Sequence, residues 1–148
     1  MKKTHFRRSN IPSISINEYV IRICNYVVVL EPSTLLTVLS YAHTLCQLED
    51  EDQITIDSNP ECSKDTTHKS PLLLLDMHSV HRFIISGIVL ASKALGDHFY
   101  SNTFYAKVGG ISIKELNCLE LELAFLLDWR LQCPLPLMAS IWRRLDIL

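Results

Sequence analysis

The sequence predicts an all-α domain, and three observations carry that prediction. Apolar residues recur at three- and four-residue steps over several segments. Serines stand at capping positions ahead of those segments, and nowhere does period-two alternation lie between hairpin turns. The composition agrees, with 48% hydrophobic and 20% charged residues and only four glycines and six prolines in 148 residues, a balance typical of helix-rich globular chains. A chain of this length fits one core and buries roughly two-thirds of the surface it would expose unfolded.

Ser15-Ile-Asn-Glu18 matches a capping box, with Ile14 and Tyr19 placed for a hydrophobic staple. The first helix starts there and carries Ile16, Tyr19, Val20, Ile23 and Val27 as its stripe, ending before Pro32. Pro32 suits the first position of a second helix, whose stripe is Leu35, Val38, Leu39, Ala42, Leu45 and Cys46. From Glu49 to Asp65, seven acidic residues face a single Lys64, which predicts a solvated, mobile acidic loop that Pro71 closes.

A third helix is expected from about Asp76 to Leu95. Its apolar residues, from Val80 through Phe83, Ile85 and Ile88 to Leu95, cover most of the circumference, so it belongs at the centre of a bundle. Gly96 offers a stop. Ser101 caps a short helix through Lys107, for which Gly109 is the expected left-handed terminator. Ser112-Ile-Lys-Glu115 reads as a second capping box, with Ile111 and Leu116 placed for a staple, opening a fifth helix to about Asp128. A last helix follows Pro134 and Pro136.

Several kinds of chemistry find no support. Val108-Gly109-Gly110-Ile111 follows a helix instead of a strand and lacks the Lys and Ser/Thr of a phosphate loop, so it is read as a corner between two helices. His78 and His81 stand one turn apart on the third helix, but no third metal ligand and no general base accompany them. Asp97-His98 lies near Ser92 and Ser101 without a nucleophile elbow. No catalytic residue, metal site or cofactor is expected.

The net charge of −2 and pI near 6.3 give no electrostatic reason for nucleic acid or an anionic membrane as partner. No signal peptide is expected behind the basic first ten residues, and the run from Phe83 to Leu95 carries Lys93 and is too short to span a bilayer. Cys24, Cys46, Cys62, Cys118 and Cys133 are odd in number without a C-x-x-C pair. They are read as free buried thiols in a reducing compartment, cytoplasm or nucleus.

Polarity in the wrong place is the positive signal. Glu120 falls inside the apolar stripe of the fifth helix, made by Leu116, Leu119, Leu123, Leu126 and Leu127. Lys93 stands on a partly polar strip of the third helix with Arg82, Ser86 and Leu90. Two readings remain open: an internal, partly buried Lys93–Glu120 ion pair of little net stability, or charges at a groove that orients another protein.

The stretch from His81 to Leu131 resembles the second half of a cyclin box. The pieces that carry the likeness are His81-Arg82, Ala91-Ser-Lys93, Phe99-Tyr-Ser-Asn102, Tyr105-Ala-Lys-Val-Gly-Gly-Ile111, Glu115-Leu-Asn117, Leu119-Glu120 and Leu127-Asp-Trp-Arg-Leu131. The likeness is strongest to single-box P-type or U-type cyclins, a group that includes fungal phosphate-signalling cyclins; Ile14 to Gln47 matches in helix placement but is more divergent. It implies a five-helix box around a central third helix, within residues 14–131, carrying the acidic insertion at about 49–70. A flexible basic N-terminus (1–13) and a C-terminal helix (132–148) flank it.

The resemblance also implies function: a non-catalytic regulatory subunit that docks on the mobile regulatory helix of a cyclin-dependent protein kinase and activates it. No nucleic acid, membrane or small-molecule substrate is then expected. By position, Lys93 and Glu120 would contact the kinase, with Leu90, Ala94, Ala124 and Trp129 supplying apolar contact. His43-Thr44 replaces the Asp-Arg common in the family, which puts a helix-bracing ion pair in doubt, and no second box follows. The alternative is a cyclin-fold scaffold for a non-kinase partner.

Overall fold

In the computed structural model, residues 4–7, 9–28, 30–54 and 75–145 are described. The elements run α1 (Ile16–Tyr26), α2 (Pro32–Ile54), α3 (Val80–Leu95), α4 (Asn102–Gly109), α5 (Ile113–Leu126) and α6 (Leu135–Leu145). All regular structure among the described residues is helical. α3 packs against α1, α2, α4 and α5, and α6 lies on α2.

The centrality of α3 follows from its sequence. Every residue from Ile85 to Ser92 is buried, so no face is left for solvent along those two turns. Around it pack Tyr19, Ile23 and Val27 of the first segment, Val38, Tyr41 and Leu45 of α2, and Leu116, Leu119 and Leu123 of α5. The helix begins at Val80 and not at Asp76. Asp76 instead heads a turn, its carboxylate accepting the His78 amide at 2.9 Å and its own amide donating to Ser79 Oγ at 3.0 Å. An Asp that satisfies nearby amides this way competes with helix.

Caps set the helix starts. At α1 the box is complete: Ser15 Oγ accepts the Glu18 amide and the Glu18 carboxylate accepts the Ser15 amide. At α5 only half forms, because Ser112 Oγ accepts the Glu115 amide at 3.1 Å while the Glu115 carboxylate is taken by Arg82 of α3. A charged guanidinium outcompetes a backbone amide for a carboxylate. α5 ends at Leu126, two residues before the expected Asp128.

The glycine pair turns a corner, with the left-handed position one residue later than expected. Gly110 is the left-handed residue, φ 68°, while Gly109 ends α4. A Cβ on Gly109 would stand 2.8 Å from Ile85 Cγ1, so its absence lets α4 close on α3, and its carbonyl accepts the Tyr19 hydroxyl at 3.1 Å.

Further expectations need correction. On α2, Leu39 is 43% exposed and Cys46 is exposed, while Thr34, Thr37 and Ser40 are buried. The Thr37 and Ser40 hydroxyls are affordable inside because they bond their own helix: Thr37 Oγ1 to Ser33 O at 2.9 Å, Ser40 Oγ to Thr37 O at 2.7 Å. Cys24, Cys46 and Cys118 are exposed instead of buried, and Cys133 is half-buried; each stands off its helix's buried stripe or outside a helix. Cys62 lies outside the described residues.

The N-terminus is not a loose tail throughout. Phe6 is fully buried, and Arg82 Nη1 donates to the carbonyls of His5 at 2.8 Å and Phe6 at 3.4 Å. One large aromatic ring and a half-buried guanidinium suffice to strap residues 4–7 to the bundle. α2 continues to Ile54, so the first residues of the expected acidic loop, 49–54, are helical; 55–74 lie outside the described residues.

Candidate functional site

Lys93 closes the last turn of α3, where a cation suits the helix dipole, and Glu120 sits midway along α5. Packing of α5 on α3 brings Lys93 Nζ to 2.6 Å from Glu120 Oε1. The second oxygen, Oε2, accepts from Asn102 Nδ2 at 2.8 Å, and the same nitrogen lies 2.7 Å from Asn117 Oδ1. The pair is therefore joined internally, as one of the two readings required. It is not sealed, because the Lys93 side chain keeps 31% and the Glu120 side chain 17% of its exposure.

The cluster is also unsaturated. An ammonium has three donors and a carboxylate about four acceptor positions; the contacts above use one and two of them. What remains can meet a partner's polar groups without the pair breaking.

The four apolar residues expected beside it divide. Leu90 (5%) and Ala124 (1%) are buried and form the floor under the charges, whereas Trp129 is 56% exposed and Ala94 half-buried. Trp129 is thrown outward by the end of α5: Asp128 (φ 51°) and Trp129 (φ 56°) are both left-handed, and the Trp129 amide returns to Ala124 O at 2.9 Å. Two consecutive left-handed residues other than glycine are costly. The indole packs edge-on against Phe125 with centroids 5.5 Å apart.

Trp129 and Ala94 help to line a groove of about 650 Å³, together with residues that include Tyr41, Leu131, Pro134 and Leu137. Two of the lining residues are tied together, the Tyr41 hydroxyl donating to Leu131 O at 2.6 Å. Burial, helped by the nearby Cys133, holds that phenol well above its ordinary pKa, so it stays a donor throughout the usable pH range.

Sequence reasoning missed two components. Asn102 and Asn117 join the cluster only through the meeting of α4 with α5. Leu121 (52%) and Phe125 (63%) are exposed four residues apart on α5, and the Phe125 ring contact continues this apolar row to Trp129 beyond the helix end. That row was visible as a second four-residue spacing offset from the buried stripe.

The remaining candidates have other work. His81 Nε2 donates to Ile14 O at 2.9 Å and its ring meets Tyr19 edge-on at 5.0 Å, which ties the entry of α1 to α3. Among the described residues no group of three or more His, Cys, Asp or Glu side chains stands together as a metal site, and no helix is long and apolar enough to cross a membrane. Asp97 and His98 are exposed while Ser92 is buried.

This geometry agrees with sequence comparison, in which the cyclin family model matches residues 1–131. The chain belongs to the cyclin family. Among its relatives, PHO85 cyclin-7 of Saccharomyces cerevisiae is 36% identical over 129 residues, which is 85% of this cyclin and 40% of the yeast protein. The Nuc-1 negative regulatory protein preg of Neurospora crassa is 32% identical over 128 residues, 86% of this chain and 22% of its own length. Cyclin-U4-1 of Arabidopsis thaliana is 48% identical over 65 residues, 44% of this chain and 32% of the plant protein. The cyclin thus spans less than half the length of each of these relatives.

Proposed function

We propose that this cyclin is a regulatory subunit that docks on a cyclin-dependent protein kinase and activates it, contributing no catalytic group of its own. The observation that carries the reading is the half-open Lys93–Glu120 pair at the junction of α3 and α5, beside the exposed Trp129. An apolar floor, a ring of exposed aromatic surface and an unsaturated polar pair make the anatomy of a specific protein interface. Lys93 and Glu120 orient the partner; Trp129 and Ala94 offer it apolar surface; Leu90 and Ala124 support that surface from beneath.

Activation then needs only differential affinity. A surface that fits the kinase's regulatory helix in its active position and not in its inactive one shifts the kinase population toward activity by that difference. Protein surface of this kind gives no reason to invoke nucleic acid, membrane or a small-molecule substrate, and action in cytoplasm or nucleus accords with an odd number of cysteines without a C-x-x-C pair. Phosphate signalling is the process the fungal likeness suggests.

The test uses PHO85 of Saccharomyces cerevisiae, the protein whose name the yeast relatives carry, as first probe. The purified cyclin is expected to bind it and raise its kinase activity, and Lys93→Ala/Glu120→Ala to lose both while melting within a few degrees of the unaltered protein. Retained binding by the double variant refutes the site. A purification from lysate that recovers another protein and no kinase favours the scaffold reading instead.

A further inference from the structure

Glu120 has a second holder that no charge pattern announces. Asn102 is the first residue of α4, set in place by Ser101, whose hydroxyl accepts the Phe104 amide at 3.4 Å. Its Nδ2 lies 2.8 Å from Glu120 Oε2 and 2.7 Å from Asn117 Oδ1. A carboxylate only accepts, so the atom of Asn102 that faces it is the nitrogen, and both amide hydrogens are engaged. Lys93 holds the other oxygen from α3 at 2.6 Å. The carboxylate is gripped from opposite sides by two different helices.

We infer that Asn102 is a positioning residue for the docking surface: it fixes the rotation of the Glu120 carboxylate so that the Lys93–Glu120 pair meets a partner already oriented. This rests on the reading proposed above. A long flexible Glu held by one bond would still sample rotamers and would lose that freedom on docking; a second bond removes the freedom beforehand. The second donor is neutral, so it orients Glu120 without cancelling the charge the partner meets. A lysine or arginine at position 102 would make a second ion pair and take that charge away.

Position 102 allows a discriminating substitution. Asn102→Asp keeps size and shape, and an acidic residue in the first turn favours a helix, so α4 should form as before. At Glu120, however, it replaces a donor with a like charge. Asn102→Ala removes the donor alone.

The experiment compares the unaltered cyclin with Asn102→Ala, Asn102→Asp, Glu120→Ala and Asn102→Ala/Glu120→Ala. It reads affinity and dissociation rate for PHO85, melting temperature, and the order of the free protein's Glu120 side chain by ¹³C relaxation. The expected result is about a two- to tenfold loss for Asn102→Ala, mostly as faster dissociation, a larger loss for Asn102→Asp, little change in melting, and a more mobile Glu120. In the Glu120→Ala background, Asn102→Ala should cost nothing further. Full binding by Asn102→Asp, an undiminished cost in the Glu120→Ala background, or unchanged Glu120 order overturns the inference. Loss on Glu120→Ala with none on either Asn102 variant overturns it alone; no effect of Glu120→Ala, or no binding by the unaltered cyclin, overturns the docking reading beneath it.

Discussion

Lys93 Nζ and Glu120 Oε1 stand 2.6 Å apart on helices 27 residues distant in sequence, yet both side chains retain access to solvent. A pair in that position contributes on the order of 1 kcal/mol or less to folding. Under the docking proposed above, its value to an incoming protein is larger, because docking removes the water that screens it.

Single substitutions at this pair should therefore separate stability from binding. Glu120→Ala is expected to lower the melting temperature by only about 3 °C while weakening PHO85 binding by tenfold or more, on the order of 2 kcal/mol. Calorimetric melting and titration of the same samples check both numbers. A melting loss above about 10 °C with unchanged affinity would mean that the pair is purely structural.

Phe6 anchors a strap that lies before the first helix. Phe6→Ala should destabilise the fold by about 3 kcal/mol, the low end for a buried Phe because the strap can shift to fill the space. Denaturant unfolding measures it, and hydrogen exchange of the His5 amide, which donates to Glu122 Oε2 at 3.0 Å, reports release of the strap. A change below 0.5 kcal/mol would show that the bundle does not need the ring.

Tyr41→Phe deletes the hydroxyl that donates to Leu131 O. The expected loss is about 1–2 kcal/mol, since the carbonyl loses its donor at the rim of the groove. Denaturant unfolding measures it, and a change below about 0.5 kcal/mol would mean that water takes the place of the hydroxyl.

Acid should loosen the caps. Glu18 has its pKa lowered by the Ser15 hydroxyl and amide. At Asp76 desolvation pushes upward, but the His78 amide, the Ser79 hydroxyl and Arg7 outweigh it and leave the pKa below the ordinary 3.8. Both folded values lie below the unfolded ones, so their stabilisation is complete above about pH 4.5 and disappears as pH falls through the folded pKa values. Melting temperature should fall from pH 5 to pH 3, and Glu18→Gln should flatten part of that slope. A slope identical to the unaltered protein's would remove Glu18 from the account.

Helix starts at Ser15, Ser101 and Ser112, the corner at Gly109-Gly110, and the burial of α3 on all sides were legible in the residues themselves, as was the family likeness that singled out Lys93 and Glu120. These features depend on bonds within about four residues or on an apolar pattern strong enough to dominate any packing. Tertiary structure alone decided that Glu115 serves Arg82 instead of completing its own cap, that Asn102 reaches Glu120, that Phe6 fills the core, and that Leu90 and Ala124 lie under the surface while Trp129 stands on it. The reason is rotation and competition: a helix's sequence sets its apolar stripe only to within the neighbouring positions, and a polar side chain takes the strongest partner that packing brings within reach. Which partner that is depends on the approach of a helix distant in sequence.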